Sequence, residues 1–280
     1  MRPPDQQTVL VTGATDGLGR ELAGELAARG ARVLLHGRDE DKAEAVRHDL
    51  AGSAGSEQQL RVLLGDLSSL DAVRTLAANV ASVTDRLDAL VNNAGIICGH
   101  ERRESADGHE LTFAVNHLSH YLLTALLLPL LRDSAPSRIV NVASIGQAPI
   151  DFSDPMLERG YDPMRAYSQS KLAQIMFTFE LAERLRAAGG EDAVTVNALH
   201  PATLMDTQMV RETFGRARAS VAEGAEATLR LVVGVELDGV SGRYYDGLEE
   251  SRADGQAYDA GARRRLWELS ERLVGTAPAV

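Results

Sequence analysis

Cysteine is nearly absent from this chain of 280 residues: Cys98 stands alone, which excludes an internal disulfide and points to a reducing compartment. Lysine is almost as scarce. Only Lys42 and Lys171 occur among 29 lysines and arginines, so the place of each is informative. No apolar run reaches the roughly 20 residues of a membrane span. Near the amino terminus Val9-Leu10-Val11 is far too short for a signal-peptide core. No membrane anchor is therefore expected, and the location should be cytoplasmic. Basic charge is in deficit, at a formal net −11, so the averaged field repels phosphate backbones and nucleic acid is not an expected partner. Internal repeats and a linker are also missing. With 44% apolar and 25% charged residues, one globular domain spanning 1–280 is the expectation.

Short apolar runs alternate with longer segments of helical spacing, the pattern of repeated βαβ units. Strands are expected near 8–12, 31–36, 60–64, 87–91, 138–143, 193–199 and 242–245. Helices are expected near 18–29, 39–51, 69–82, 107–131, 165–188, 221–234 and 260–273. A Gly/Ser-rich patch, Gly52 to Ser56, reads as a surface turn. Strands apolar on both faces belong in a parallel sheet covered on each side. The predicted fold is α/β: a doubly wound, Rossmann-like parallel sheet of about seven strands.

The first strand runs into Gly13-Ala14-Thr15-Asp16-Gly17-Leu18-Gly19 and then into an amphipathic helix. Strand, glycine turn and helix stand in the order a dinucleotide pyrophosphate requires. Gly13 permits the tight turn, Gly17 removes a side chain where phosphate approaches, Gly19 allows close packing, and the helix amino terminus offers free N–H donors.

Three motifs, Thr12-Gly-x-x-x-Gly-x-Gly19, Asn92-Asn-Ala-Gly95 and Tyr167-x-x-x-Lys171, together resemble the short-chain dehydrogenase/reductase family. Asp107-Gly-His-Glu-Leu-x-Phe-x-Val-Asn116-His-Leu-x-His120 and Gly242-Arg-Tyr-Tyr-Asp246 resemble its retinol-dehydrogenase-like branch. Microsomal members of that branch carry a hydrophobic amino-terminal anchor. This chain begins a few residues before its first strand and so resembles a soluble bacterial-type member.

The second strand ends in His36-Gly37-Arg38-Asp39, with no acid to bind the 2′-hydroxyl of NAD. Arg38 offers a guanidinium fork suited to a 2′-phosphate, and the resemblance makes it the NADP-selecting residue; NADP (NADPH) is favoured over NAD. The alternative is that Arg38 caps the turn or pairs with Asp39 or Asp41. The resemblance also counts Thr15, Asp16 and Leu18 among the cofactor contacts. It sets Asp66 at the adenine amino group, Leu67 beside the ring, and Asn92, Ala94 and Gly95 against the adenosine ribose, while the asparagines also brace the central sheet. Asp66 could equally cap a helix that Ser68 and Ser69 open. Pro201 and Thr203 resemble the segment near the nicotinamide carboxamide, although Ala202 replaces the family glycine.

Tyr167 and Lys171 are four apart in a helical segment and share one face. A neighbouring cation together with the charge of the oxidised nicotinamide should bring the phenol down from its usual ~10 and make Tyr167 the general acid in carbonyl reduction. Ser144, after the fifth strand, would hydrogen-bond the substrate oxygen. By the resemblance, Asn116 holds a water linking Lys171 to solvent, and Lys171 also binds the nicotinamide ribose. His117 and His120 lack a third ligand, so no metal is expected. Cys98 reads as filler.

Ser144 and Tyr167 are 23 positions apart, longer than the commonest family spacing, which adds loop at the active-site mouth. Substrate loops are expected at about 145–166, with Ile150, Phe152, Met156 and Tyr161, and at about 202–220, with Met205, Met209 and Phe214. They suit a lipophilic or aromatic carbonyl or alcohol. The leading expectation is thus an NADP-dependent ketoreductase or alcohol dehydrogenase. A non-catalytic NADP-binding redox sensor or interaction protein is the alternative. The resemblance further implies a homodimer or homotetramer, paired through helices 107–131 and 165–188.

Overall fold

The apolar runs form strands where the period suggests, and the central ones are buried on both faces. A computed structural model describes residues 1–52, 59–189 and 194–280. The strands are β1 (Thr8–Val11), β2 (Arg32–Gly37), β3 (Leu60–Leu64), β4 (Ala89–Asn92), β5 (Ser137–Val142), β6 (Val194–His200), β7 (Tyr244–Asp246) and β8 (Glu249–Glu250). They make one sheet in the order β3-β2-β1-β4-β5-β6-β7-β8. The first seven pair in parallel, and β8 closes antiparallel on β7. β8 was not expected. Its two exposed glutamates carry no apolar signal, and only the Asp246-Gly247 turn marks the hairpin.

Alternation along the strands sorts side chains into two cores. Leu10, Leu34, Leu90 and Ile139 face one side, while Val9, Val11, Val33, Val91 and Val140 face the other. The second side is covered by α1 (Gly17–Ala28) and, later in the chain, by α8 (Val221–Val233), with α2 (Glu40–Ala51) towards the β2–β3 edge. The first side is covered by α3 (Leu70–Val83), by the continuous helix Leu111–Asp133, by α6 (Pro163–Ala187) and by α9 (Ala260–Val274). A shorter helix, α7 (Gln208–Phe214), lies in the segment expected to be loop. The Gly52–Ser56 turn falls mostly outside the described residues.

The helix expected from 107 starts at Leu111, because Glu110 caps it: its carboxylate accepts from the N–H groups of Thr112 at 2.9 Å and Phe113 at 2.7 Å. This helix comprises α4 (Leu111–Phe113), a π segment at Ala114–Leu118 and α5 (Ser119–Asp133). It is long and apolar enough to cross a membrane, but it is mostly buried inside the protein. Its run Leu122 to Leu131 is core, apart from the exposed Leu126 and Pro129 and the partly buried Leu130.

Helix α9 lies along α6. Trp267 joins Phe113, His117, Tyr121 and Phe177 in one aromatic cluster, Arg184 stacks on Trp267, and Ser270 Oγ meets His117 Nε2 at 2.8 Å.

Strand order reverses between β1 and β4, which opens a crevice at their carboxyl ends. The glycine turn leaves β1 there, and Asn92 to Gly95 end β4 there.

Candidate active site

The glycine turn is built for a close approach. Gly17 takes φ +49°, and a Cβ on Gly19 would strike the carbonyl oxygen of Gly13. Asn93 braces the turn from β4, its Nδ2 donating to the carbonyls of Thr12 at 2.8 Å and Gly13 at 3.2 Å. His36, at the end of β2, accepts from Gly13 N–H at 3.2 Å through Nδ1 and reaches Gly65 O at 3.0 Å through Nε2. Burial holds its pKa down to about 4, so it works as a neutral bridge. The sequence reading gave His36 no role; its place between the glycine turn and β3 becomes visible only through strand order.

Arg38 is exposed and has no hydrogen-bond or ion-pair partner among the described residues. Asp39, one of its two candidate partners, instead caps α2 by accepting from Lys42 N–H at 3.0 Å. Asp66 accepts from Ser68 N–H at 2.9 Å within the turn, while the cap of α3 is Ser69. Asp16 caps α1 by accepting from Gly17 N–H at 2.7 Å. Asn92 braces the sheet: its Nδ2 donates into the core, to Asn141 Oδ1 at 2.8 Å and Thr124 Oγ1 at 3.1 Å.

Ser144, Tyr167, Lys171 and Asn116 converge. Ser144 follows β5 by two residues, and its side chain lies close enough to the Tyr167 phenol to lower its pKa. Gly146 N–H donates to Ser144 Oγ at 3.0 Å. Lys171 Nζ lies 5.7 Å from the Tyr167 ring centre and donates to Val142 O at 2.8 Å and Gln174 Oε1 at 2.9 Å. Gly95 sits where a Cβ would come within 3.4 Å of both Lys171 Nζ and Asn116 Oδ1, so its small size keeps that corner open. The π segment turns Asn116 inward. Its side chain donates to Ile96 O at 3.0 Å and Ser170 Oγ at 2.9 Å and accepts from Ile96 N–H at 2.8 Å. Ala94 N–H and Asn93 N–H both donate to Thr12 Oγ1, whose hydroxyl lies 3.3 Å from Val91 O and 3.2 Å from His120 Nε2. Asn116 O can only accept, so His120 Nδ1 carries the ring hydrogen and donates to it at 3.1 Å.

Burial pushes the Tyr167 phenol up, and the Ser144 side chain opposes that rise. Burial lowers the Lys171 ammonium to about 7.

A profile of the short chain dehydrogenase family matches residues 7–217. Human retinol dehydrogenase 13 is 42% identical over 294 residues, covering 98% of this chain and 86% of that protein. The chain belongs to the short-chain dehydrogenase/reductase family, in its retinol-dehydrogenase-like branch. An uncharacterized protein from Mycobacterium Paratuberculosis superposes with TM-score 0.82 at 34% identity, covering 98% of this chain and 96% of that one. RhlG of Pseudomonas aeruginosa, solved as an NADP active-site complex, has TM-score 0.70 at 27% identity over 88% and 97% of the two chains.

The branch segments of this dehydrogenase-family chain prove to be supports. Asp107 accepts from Leu70 N–H at 2.9 Å, and Glu110 caps α4. Tyr244, in Gly242-Arg-Tyr-Tyr-Asp246, donates its hydroxyl to Ser144 O at 3.1 Å. Gln147 Nε2 donates to the same oxygen at 2.9 Å. The loop at 145–166 is tied down more than its composition suggested. Ile150 and Leu157 are buried, Phe152 and Met156 pack on the core, and the Gln256 amide makes bonds of 2.7 and 3.1 Å to the Ile150 backbone. Ile145 and Met164 remain exposed. In the segment 202–220, Met205 packs on the second core, Phe214 is exposed, and Thr207 abuts Gly17. With Ala202 in the glycine position, the positive φ falls on Leu204 at 50°. Pro201 is buried, and Thr203 Oγ1 meets His200 Nε2 at 3.1 Å. Cys98 is half-buried.

Proposed function

We propose that the chain is an NADP(H)-dependent oxidoreductase acting on the carbonyl or alcohol group of a lipophilic or aromatic small molecule. The observation that carries this reading is the convergence of Ser144, Tyr167 and Lys171 beside a crevice whose glycine turn has no room for a side chain at Gly19. The residues present fit the cofactor: donors at the α1 amino terminus and the turn would hold the pyrophosphate, and the unpaired Arg38 a 2′-phosphate. When bound, NADPH supplies the hydride.

In reduction, Tyr167 gives its phenolic proton to the substrate oxygen, and in oxidation its phenolate removes the alcohol proton. Ser144 Oγ, held by Gly146 N–H, donates to the same substrate oxygen and stabilises negative charge developing there. Lys171, as ammonium, lowers the cost of the phenolate. Asn116 braces Ile96 and Ser170, and its backbone carbonyl, which accepts from His120, keeps a second lone pair for the water that the resemblance implies.

Ile145, Met164 and Phe214, all exposed on the two substrate segments, support an apolar substrate, and retinol, in the name of the relatives, is an apolar alcohol. A cytoplasmic location and a homodimer or homotetramer accompany this reading. Because α9 lies along α6, pairing would use the strip of α5 carrying Leu126 and Leu130, and light scattering at working concentration tests it.

The direct test is coenzyme consumption across a panel of aliphatic, alicyclic and aromatic aldehydes and ketones, retinal among them, with NADPH and NADH in parallel. NADPH-driven turnover of apolar members is expected. Silence across the panel with demonstrated NADPH binding would favour a non-catalytic binding protein.

A further inference from the structure

Residues Leu172 to Phe177 of α6 are all buried, and five of the six are apolar. Gln174 is the exception, at 1% exposure. A primary amide in such a place is costly unless its polar atoms are matched. An ammonium can only donate, so the amide must turn Oε1 towards Lys171 Nζ, at 2.9 Å. Val142 O takes a second ammonium hydrogen at 2.8 Å. The third is left for the open corner that Gly95 maintains.

We propose that Gln174 is a positioning residue for the reaction: with Val142 O it fixes the Lys171 ammonium between α6 and β5 and stabilises its charged form. This rests on the role assigned to Lys171 above. A hydrogen bond to a charged group in a buried site is stronger than one between neutral groups, and it favours the charged state. Burial alone would strip the proton: it brings Lys171 to about 7, close to working pH, where a single acceptor changes the charged fraction several-fold. The other titratable groups facing the ammonium are Tyr167 on the same helix, His120 from α5 and His200 at the end of β6, which in turn faces Asp246. His120 and His200 are both held down by burial. Gln174 Oε1 is therefore the side-chain acceptor that decides the lysine's charge.

The scarcity of lysine makes the test direct. Labelling with ε-15N-lysine gives two side-chain signals, Lys171 and the exposed Lys42 on α2, which serves as internal reference. Gln174→Met removes the acceptor at similar volume, and Gln174→Glu replaces it with an anion. The titration midpoint of Lys171 should fall by about one pH unit in the first variant and rise by at least as much in the second, with Lys42 unmoved. The pH at which alcohol oxidation switches on should move the opposite way: upwards in Met, downwards in Glu. A merely structural residue would alter stability without these opposed shifts. If the methionine variant does not fold, the glutamate variant carries the test alone. Lys171 midpoints that stay at the wild-type value, or move in the same direction in both variants, overturn the proposal. Opposed shifts accompanied by wild-type turnover in Lys171→Met would preserve the Gln174 contact and defeat the catalytic role of the lysine, so the two failures are distinguishable.

Discussion

Arg38→Leu should separate the two nicotinamide coenzymes. The side chain stands at the carboxyl end of β2, exposed and without a partner among the described residues, and its neighbour Asp39 is engaged in capping α2. Removing it breaks no contact of the fold, so the unfolding temperature should not change. A charge-assisted guanidinium–phosphate contact contributes about 1.5–3 kcal/mol, and at a solvated site screening keeps it near the lower figure. Since 1.4 kcal/mol is tenfold, the Kd for NADPH should rise roughly tenfold while that for NADH stays within about twofold. Fluorescence titration of each coenzyme measures this, and the NADPH effect should shrink as salt is raised. Arg38→Glu should go further and reverse the preference by repelling the phosphate. Equal losses for both coenzymes, or an unchanged NADPH affinity, would refute the assignment.

Two further outcomes follow from buried groups. His36, His117 and His120 have pKa values lowered by burial to about 4, 3 and 3. Unfolded imidazoles protonate near 6.5 while the folded ones resist. Their contribution to stability is therefore complete above that pH and is lost as pH falls through 6.5 towards 4, at up to about 1.4 kcal/mol per pH unit for each histidine. Urea midpoints on either side of pH 6.5 should show the loss, and His117→Phe should flatten it; an equally steep decline in that variant would contradict the cause given. Tyr244→Phe removes one of two donors to Ser144 O and leaves the ring packing, so kcat should fall about fivefold with unchanged NADPH affinity, as for one hydrogen bond of about 1 kcal/mol. An unchanged kcat would show that Gln147 alone fixes the serine.

Much of this was legible because local chemistry and global fold agree. Val9-Leu10-Val11 reads as a strand buried on both faces and is one, and the glycine turn after it needs no tertiary information. The Tyr167–Lys171 pair follows from helical spacing alone. What escaped depends on contacts distant in sequence. Tyr244 reaches Ser144 across 100 positions, and His120 reaches Thr12 across 108. That the asparagines brace the sheet was legible, but not their partners: Asn92 turns into the core to Asn141 while Asn93 faces the glycine turn. The loop 145–166 looked like pocket lining since its residues are apolar, yet Ile150 and Leu157 are used to anchor it. The sign of the shift at Tyr167 could not be read from spacing, because four residues along a helix say nothing about how deeply the phenol is buried.

The central claim is that Tyr167 transfers the proton. Tyr167→Phe, purified and tested at saturating NADPH against a carbonyl that the wild type reduces, measures it most directly. The account predicts turnover lost by at least a hundredfold, in the range general acid–base groups supply, with NADPH binding intact. Wild-type rates in that variant would contradict it.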